Sequence, residues 1–435
     1  MEPVTLVEKV IIIPATPTKR WHLFLSNIDL TLITYLETIT FFGPPPAHLT
    51  FSDVFHNLCS SLRRLLVSYN FVAGRLELSK ENSRLDIDCN DAGMIVVAAS
   101  TTNEMDLMGQ LRTPKPTYKD LLKFLQDEGP ELRDQPLMSF QLTRFQCGGL
   151  ALASRTSHCL FDGVSSQEFQ ANLASFTRGE GLIVTPNLDR TVFSARIPPK
   201  ITHSHLEYSN LIHPDSIFSA PGMCSHAIKQ PRSDTTCVIY MSPERIARLK
   251  TEVLEDNPLM NCTTFSVLAA NIWKARTIAT GLPDDRISTM LFPVDVRKRV
   301  VPHVPDGFAG NAVIPGFARA STHELKTSRA SVLVGKIQEG LERLDDGYVK
   351  SGIDWLEVHK GVPCTVDSFS VVAWWKLGLE TAQFGWGPVR CVTLAEMKPG
   401  LVFLLPGEKD EGGINVCLEL PSDHMKEFYK LMMED

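Results

Sequence analysis

One stretch organises this sequence, Ser157-His158-Cys159-Leu160-Phe161-Asp162-Gly163. Before it, apolar and polar side chains alternate in a pattern that predicts a strand ending near His158. After it, apolar side chains recur at helical spacing as far as Gly179. On the predicted strand Leu150, Leu152 and His158 share one parity, so their side chains point to the same face. We therefore expect His158 at a strand end facing a predicted core, a suitable place for a general base.

The spacing His-x-x-x-Asp is by itself open to more than one interpretation. It fits a catalytic base with a nearby carboxylate, and it also arises by chance in many proteins. A metal site is a weaker interpretation, because two ligands are too few and no second His/Cys/Asp cluster has the required spacing. The rest of the chain has to separate these alternatives.

Length and charge exclude several classes of protein. A chain of 435 residues is too long for one ordinary core, so we expect two domains of about 200 residues each. The net charge of -7 argues against nucleic acid as the principal partner. The sequence contains no glycine-rich phosphate loop and no GxSxG element, which argues against dinucleotide-binding, P-loop and serine-hydrolase folds.

The cysteines and the apolar segments indicate the compartment. The apolar run Val10–Ile13 stops at Pro14 and follows acidic residues, unlike a secretory signal. No apolar run approaches the ~18 residues that span a bilayer, so we expect no membrane insertion. The 10 cysteines include no CxxC pair and are typical of free thiols in a reducing compartment. These features predict a cytoplasmic protein.

Strand and helix patterns are interleaved in both halves, which predicts an α/β protein, or α+β with mixed sheets, containing two sheets. Helices are predicted from Ser52, over 263–276, over 321–344 behind a Ser321/Glu324 capping box, and after a Ser422 cap. A hairpin is predicted from 401–405 and 414–420. A long connection is predicted over 180–235, where the prolines are Pro186, Pro198, Pro199, Pro214, Pro221 and Pro231.

Several segments, taken in order, resemble the plant BAHD acyltransferases, particularly the hydroxycinnamoyltransferases. The match spans almost the whole chain. The segments that carry it are Ala73–Leu76 (AGRL), Phe140–Gly149 with His158-x-x-x-Asp162-Gly163, Leu188–Thr191 (LDRT) with Arg196-x-Pro198-Pro199, Val294–Arg297 (VDVR) with Gly310-Asn311, and Phe384–Gly387 (FGWG). Ordered matches of this kind raise the catalytic interpretation of His158 well above chance.

The resemblance implies a two-domain chloramphenicol-acetyltransferase-like fold with a channel between the domains. It implies an N-terminal domain over 1–178, a crossover connection over 179–235 and a C-terminal domain over 236–435, with about 380–402 contributing to the N-terminal domain. The activity implied is acyl transfer, with an aromatic hydroxycinnamoyl group as the leading expectation. The acyl group would pass from a CoA thioester to an alcohol or amine while both substrates are bound, with His158 as general base. Acyl-CoA would be a co-substrate, with no tightly bound cofactor, no metal and a monomeric protein.

The resemblance assigns Asp162 a structural role, pairing with Arg297 and not with the imidazole. Charge-assisted pairing of an aspartate at a helix start with an arginine is also common physically. Gly163 belongs to the same motif. Cys159 is adjacent to His158, but neighbouring residues of a strand face opposite ways, so we expect a packed thiol.

The sequence departs from the family pattern at two positions near the expected channel. Gln383 replaces an aspartate in front of Phe384, Gly385, Trp386 and Gly387, which we expect to shape a loop. Val372 stands where a threonine often precedes Trp374 by two positions. Trp374 is therefore either an oxyanion donor or a core aromatic, and the sequence leaves both open.

One predicted helix resembles the part of the family that contacts CoA. Thr263, Thr264, Lys274 and Arg276 lie in or near this helix and are the expected CoA contacts.

Two other functions compete with the transferase: a non-catalytic partner or regulatory member of the family, and a lyase that uses the same histidine. Retention of His158 and Gly163 favours the transferase.

Overall fold

The computed structural model of the protein describes residues 2–79, 84–125, 132–209, 235–363, 367–408 and 411–434. Two large mixed sheets and one small sheet are covered by helices, as expected for a two-domain α/β architecture. Within this part of the chain, no helix is both long and apolar enough to cross a bilayer.

The strands in the described residues are β1 (Thr5–Ile12), β2 (Trp21–Phe24), β3 (Tyr35–Phe42), β4 (Arg75–Leu78), β5 (Leu85–Cys89), β6 (Met94–Ser100), β7 (Met138–Arg144), β8 (Leu150–Ser157), β9 (Thr235–Met241), β10 (Ile287–Asp295), β11 (Val313–Ser321), β12 (Ser368–Ala373), β13 (Gln383–Phe384), β14 (Gly387–Leu394), β15 (Leu401–Pro406) and β16 (Ile414–Leu420).

The α-helices in the same residues are α1 (Asn27–Leu30), α2 (Phe51–Leu65), α3 (Gly163–Thr177), α4 (Pro243–Asp256), α5 (Thr264–Ala279), α6 (Thr322–Thr327), α7 (Ala330–Glu342), α8 (Asp346–His359) and α9 (Ser422–Met433). Shorter 3₁₀ segments include Pro116–Leu125, where the sequence predicts a short helix.

The first sheet has the strand order β1-β6-β7-β8-β3-β14-β13. Its centre is antiparallel, with Leu36 of β3 and Met138 of β7 both opposite Thr156 of β8. The apolar stripe predicted for α2 is buried in the core of this half, at Val54, Phe55, Leu58, Leu62, Leu65 and Leu66. Because side chains alternate across a sheet, one face of β8 and β3 is left to line a cavity, described below.

The second sheet has the order β11-β10-β12-β15-β16-β9 and carries the predicted hairpin as the antiparallel pair β15–β16. The chain then crosses between the two halves, because β13 and β14 follow β12 but β14 pairs with β3 of the first sheet. Residues Gln383–Leu394 therefore belong to the first sheet although they lie late in the sequence.

Two helix predictions are wrong in detail. A single helix was predicted over 321–344, but the chain forms α6 and α7, because Ser328 between them has an extended backbone (φ -75°, ψ 151°). Ser422 was predicted to cap the last helix, but it is the first helical residue, and Pro421 precedes it without a side-chain cap.

The connection between the halves is partly anchored to the second half. Asn187 forms a bridge with Phe308, and Ser209 forms one with Val362. Arg196 pairs with the buried Asp354 at 2.6 Å. The rest of the predicted connection, residues 210–234 with Pro214, Pro221 and Pro231, lies outside the described residues.

Candidate active site

An open cavity lies against the first sheet. Its floor is the face of β3, β7 and β8, and its roof is α3 together with the segment that leads from β12 to β13. The residues lining it are Leu36, Thr38, Thr40, Met138, Phe140, Leu152, Ser154, Thr156, His158, Phe161, Asp162, Gly163, Ser166, Phe169, Gln170, Leu173, Trp374, Leu377, Leu379, Phe384 and Val392. Leu152, Ser154, Thr156 and His158 thus face one way, as the parity of the strand predicts.

His158 stands directly after β8, and its backbone is held on both sides. Its N–H donates to the Thr34 carbonyl at 2.8 Å, and its carbonyl accepts from Asn311 Nδ2 at 2.9 Å. Nδ1 of the imidazole is buried without a hydrogen-bond partner among the described residues. His158 as a whole is half-buried and is one of the residues that line the cavity.

The environment keeps the imidazole of His158 neutral. Burial lowers its pKa below the ordinary value of 6.5, and its own backbone carbonyl and the carboxylate of Asp162 only partly oppose this effect. A neutral imidazole with a free Nε2 can take a proton from a hydroxyl group. The position and the protonation state therefore both suit a general base.

The carboxylate of Asp162 is fully engaged away from the imidazole. Its two oxygens accept from Arg297 Nη1 and Nη2 at 2.8 and 2.9 Å. They also accept from the backbone N–H groups of Ser165 and Ala312 at 3.0 and 2.9 Å. Asp162 thus caps the N-terminus of α3 and joins it to the second half of the chain.

Gly163 and Cys159 have packing roles beside His158. A Cβ atom on Gly163 would lie 2.7 Å from Leu377 Cδ1, so glycine allows the first turn of α3 to approach the roof segment. The thiol of Cys159 is buried, 3.1 Å from Ser157 Oγ, and burial raises its pKa to about 11. Such a thiol is protonated near neutral pH and is a poor nucleophile.

A buried ionic cluster that sequence reasoning missed holds the turn after His158. Arg190 donates to the carbonyls of Cys159 and Leu160, both at 2.8 Å, through Nη1 and Nη2. The carboxylate of Asp29 lies 3.3 Å from Arg190 Nη1 and accepts from Asn311 Nδ2 at 2.9 Å. Asn311 and Arg190 therefore fix the three consecutive carbonyls of residues 158–160. Both side chains also contact the carboxylate of Asp29. The LDRT and Gly310-Asn311 segments carry these side chains, but nothing in their spacing reveals the contact.

Trp374 contributes its indole to the cavity wall. Its ring packs edge-on against Phe403 with centroids 5.1 Å apart, and its backbone N–H donates to the Leu404 carbonyl. Val372 packs beside it in the same small apolar cluster. Trp374 is thus part of a core cluster and of the cavity wall at once.

The segment Gln383–Gly387 forms the turn between β13 and β14. Phe384 and Trp386 are buried against Phe42, with centroid distances of 5.2 and 5.8 Å, whereas the side chain of Gln383 is exposed. The N–H of Gly385 donates to Thr177 Oγ1 at 2.8 Å. This packing gives the segment a structural function at the end of α3.

The four expected CoA contacts do not form one cationic cluster. Thr263 caps α5 through a capping box with Ser266, and Thr264 is the first residue of that helix. Lys274 Nζ lies 3.4 Å from the Ser328 carbonyl. Arg276 is buried, with its guanidinium 4.5 Å from the Phe369 ring centroid, and burial lowers its pKa to about 10. Arg276 is therefore not at the surface, where a phosphate could reach it.

One group of three possible metal ligands occurs within the described residues, His22, Glu77 and Asp88 of the small sheet. They come from three strands, so no spacing in the sequence reveals them. Asp88 is already paired with Arg20 Nη2 at 2.6 Å, and the group lies outside the cavity lining.

Two large sheets, a cavity covered by helices and a histidine at a strand end are features of the chloramphenicol-acetyltransferase-like two-domain fold. A solved structure, the F. graminearum protein TRI101 complexed with coenzyme A and deoxynivalenol, matches the fold with a TM-score of 0.73 at 16% identity, covering 94% of this chain and 96% of that one.

Sequence comparison gives the family. The profile described as "Transferase family" matches residues 2–435. Acyltransferase GLAUCE of Arabidopsis thaliana is 32% identical, over 98% of this chain and 94% of its own. Omega-hydroxypalmitate O-feruloyl transferase of the same plant is 30% identical, over 98% and 92%. The chain belongs to this family, the BAHD acyl-CoA-dependent acyltransferases.

Proposed function

We propose that the protein transfers an aromatic hydroxycinnamoyl group from a CoA thioester to the hydroxyl, or the amine, of a small-molecule acceptor, with His158 as the general base. The single observation that carries this proposal is the position of His158, which lines the cavity while the carboxylate of Asp162 is engaged by Arg297. Because Nδ1 is buried, we assign Nε2 as the nitrogen that takes the proton. The acyl group is inferred from the wall, where Phe140, Phe161, Phe169 and Phe384 offer aromatic surface to a planar ring. The relative named as a feruloyl transferase supports the same inference.

The proposed reaction needs no covalent enzyme intermediate. Nε2 takes the hydroxyl proton as the acceptor oxygen attacks the thioester carbonyl carbon, whose oxygen becomes an oxyanion. We assign stabilisation of that oxyanion to Trp374 Nε1 or a backbone amide. The C–S bond then breaks, the thiolate takes the proton back from Nε2, and an ester and free CoA leave.

The remaining assignments belong to the same proposal. CoA would lie along α5, where Thr263 and Thr264 at the start of the helix and Lys274 further along it can meet its phosphates. The buried position of Arg276 argues against a contact with that residue. The free cysteines of the described residues support a reducing compartment, and we propose a cytoplasmic location. We also propose a monomer.

The test is release of free CoA from purified protein incubated with a panel of acyl-CoAs and alcohols. Acceptor-dependent release with a hydroxycinnamoyl-CoA is expected, together with its loss in His158→Ala. A panel in which no donor gives acceptor-dependent release refutes the transferase and leaves the partner protein or the lyase. Transfer from aliphatic donors alone refutes the aromatic assignment.

A further inference from the structure

The wall of the cavity carries almost no uncompensated charge. Among the described residues that line it, none is a lysine or an arginine. The two lining residues that can carry charge are His158 and Asp162. His158 is kept neutral by burial, and the carboxylate of Asp162 is neutralised by Arg297.

The polar groups that do face the cavity are neutral. Thr38 and Thr40 of β3 and Ser154 and Thr156 of β8 place hydroxyl groups in a row along the floor. Thr38 Oγ1 and Ser154 Oγ are hydrogen-bonded to each other at 2.8 Å. Such groups can satisfy a hydroxyl or carbonyl of a bound molecule but cannot compensate an ion.

The attacking hydroxyl of the acceptor must come within hydrogen-bond reach of His158 Nε2, so the acceptor occupies this cavity when it reacts. A charged group brought in with it would lose its hydration without gaining a counter-ion, which is strongly unfavourable. From the uncharged wall and the row of hydroxyls we propose, on the basis of the transferase function proposed above, that the acceptor is an uncharged alcohol with a largely apolar skeleton. Carboxylated acceptors and protonated amines are discriminated against.

Matched pairs of acceptors test this directly. With one working acyl-CoA, kcat/KM would be measured for methyl shikimate against shikimate, and for 3,3-dimethylbutan-1-ol against choline, which share the same primary hydroxyl. Each pair differs in charge and little in shape. We expect the neutral member to be preferred by about 100-fold or more, since an uncompensated ion in an apolar site is poorly tolerated. Equal rates within a pair, or a preference for the charged member, overturn the proposal.

A variant with a new charge supplies the second arm. Gln170 lies half-buried on α3 and lines the cavity, so Gln170→Arg would introduce a cation opposite the hydroxyl row. This change should reduce the preference for methyl shikimate over shikimate at least tenfold, whereas the neutral control Gln170→Met should keep it. An unchanged preference in Gln170→Arg, in protein with a native circular dichroism spectrum, overturns the proposal.

The outcomes separate this inference from the function on which it rests. If release of free CoA does not depend on the acceptor with any donor, the acyl transfer itself is refuted. Robust transfer to charged acceptors leaves the transferase intact and refutes only the substrate class.

Discussion

Arg190 and Asp29 form an ion pair at 3.3 Å in which neither side chain is exposed. The pair comes from the crossover connection and from α1, and Arg190 also donates to the carbonyls of Cys159 and Leu160. A buried ion pair is a weak source of net stability, but the loss of one partner leaves the other charge uncompensated. The turn that carries His158 therefore depends on a pair that lies outside its own motif.

Replacing Arg190 with methionine should destabilise the protein by about 3–5 kcal/mol, because the carboxylate of Asp29 and two carbonyls lose their donor. The free energy of unfolding in urea measures this. The control is Lys426→Met, which breaks an exposed pair with Asp423 and should cost less than about 1 kcal/mol. Equal effects of the two substitutions would show that the Arg190 pair has no special role.

Asp162→Asn separates the structural role of this carboxylate from a catalytic one. The amide cannot neutralise Arg297, so we expect a loss of about 3 kcal/mol and a lower yield of folded protein. The folded fraction should keep its turnover within about tenfold, whereas His158→Ala should lose at least about 100-fold. Rates normalised to the folded fraction, measured by circular dichroism, distinguish the two, and a folded Asp162→Asn protein as inactive as His158→Ala would restore the catalytic dyad.

The pH profile reports the environment of His158. The base must be neutral to accept a proton, and burial lowers its pKa, so the imidazole stays active to more acidic pH than a free one. We therefore expect the acid limb of the kcat/KM profile to be centred below pH 6.5. Circular dichroism at each pH must show folded protein. An acid limb centred above 6.5 would contradict the assigned environment.

Trp374→Phe tests whether the indole N–H stabilises the oxyanion. Phenylalanine keeps an aromatic ring against Phe403 but removes the donor, so kcat should fall by about 10- to 100-fold with KM little changed. The neighbouring Trp375, which stacks on Phe265, is the control, and Trp375→Phe should change stability more than kcat. If both variants retain the wild-type kcat, Trp374 is only a wall residue and a backbone amide must serve.

The strand that ends at His158 was predictable because a sheet with one face on a core imposes a two-residue period, visible at Leu150, Leu152 and His158. No local rule connects Asp162 with Arg297, which is 135 residues away. This pair was predictable only from the family resemblance. The pair of Asp29 and Arg190 was missed because no local rule connects those two residues either. Tertiary contacts between distant segments leave no period in the sequence.

The break between α6 and α7 shows the opposite failure, in which a local rule was applied too far. A capping pattern at Ser321 and Glu324 correctly starts a helix, as the 3.1 Å bond from the Glu324 N–H to Ser321 Oγ shows. It says nothing about where that helix ends. The second helix begins without a side-chain cap at Arg329. Its start is held by tertiary contacts, because Arg329 and Ser331 both bind the carboxylate of Asp256 and the helix packs against β11, α4 and α5.

The turn at Gln383–Gly387 gives the last prediction, which concerns the departure from the family pattern. A Cβ atom on Gly385 would lie 2.4 Å from the Thr177 carbonyl oxygen, a backbone atom that cannot move without displacing the end of α3. We expect Gly385→Ala to cost about 1–3 kcal/mol and to lower activity by loosening the roof of the cavity.

Gln383, in contrast, is exposed, and its backbone carbonyl accepts a hydrogen bond from Arg178. Gln383→Asp, which restores the family residue, should therefore change stability by less than about 0.5 kcal/mol and leave kcat unchanged. Thermal unfolding and steady-state rates of both variants decide the matter. A several-fold gain in kcat for Gln383→Asp would mean that the missing carboxylate limits this enzyme.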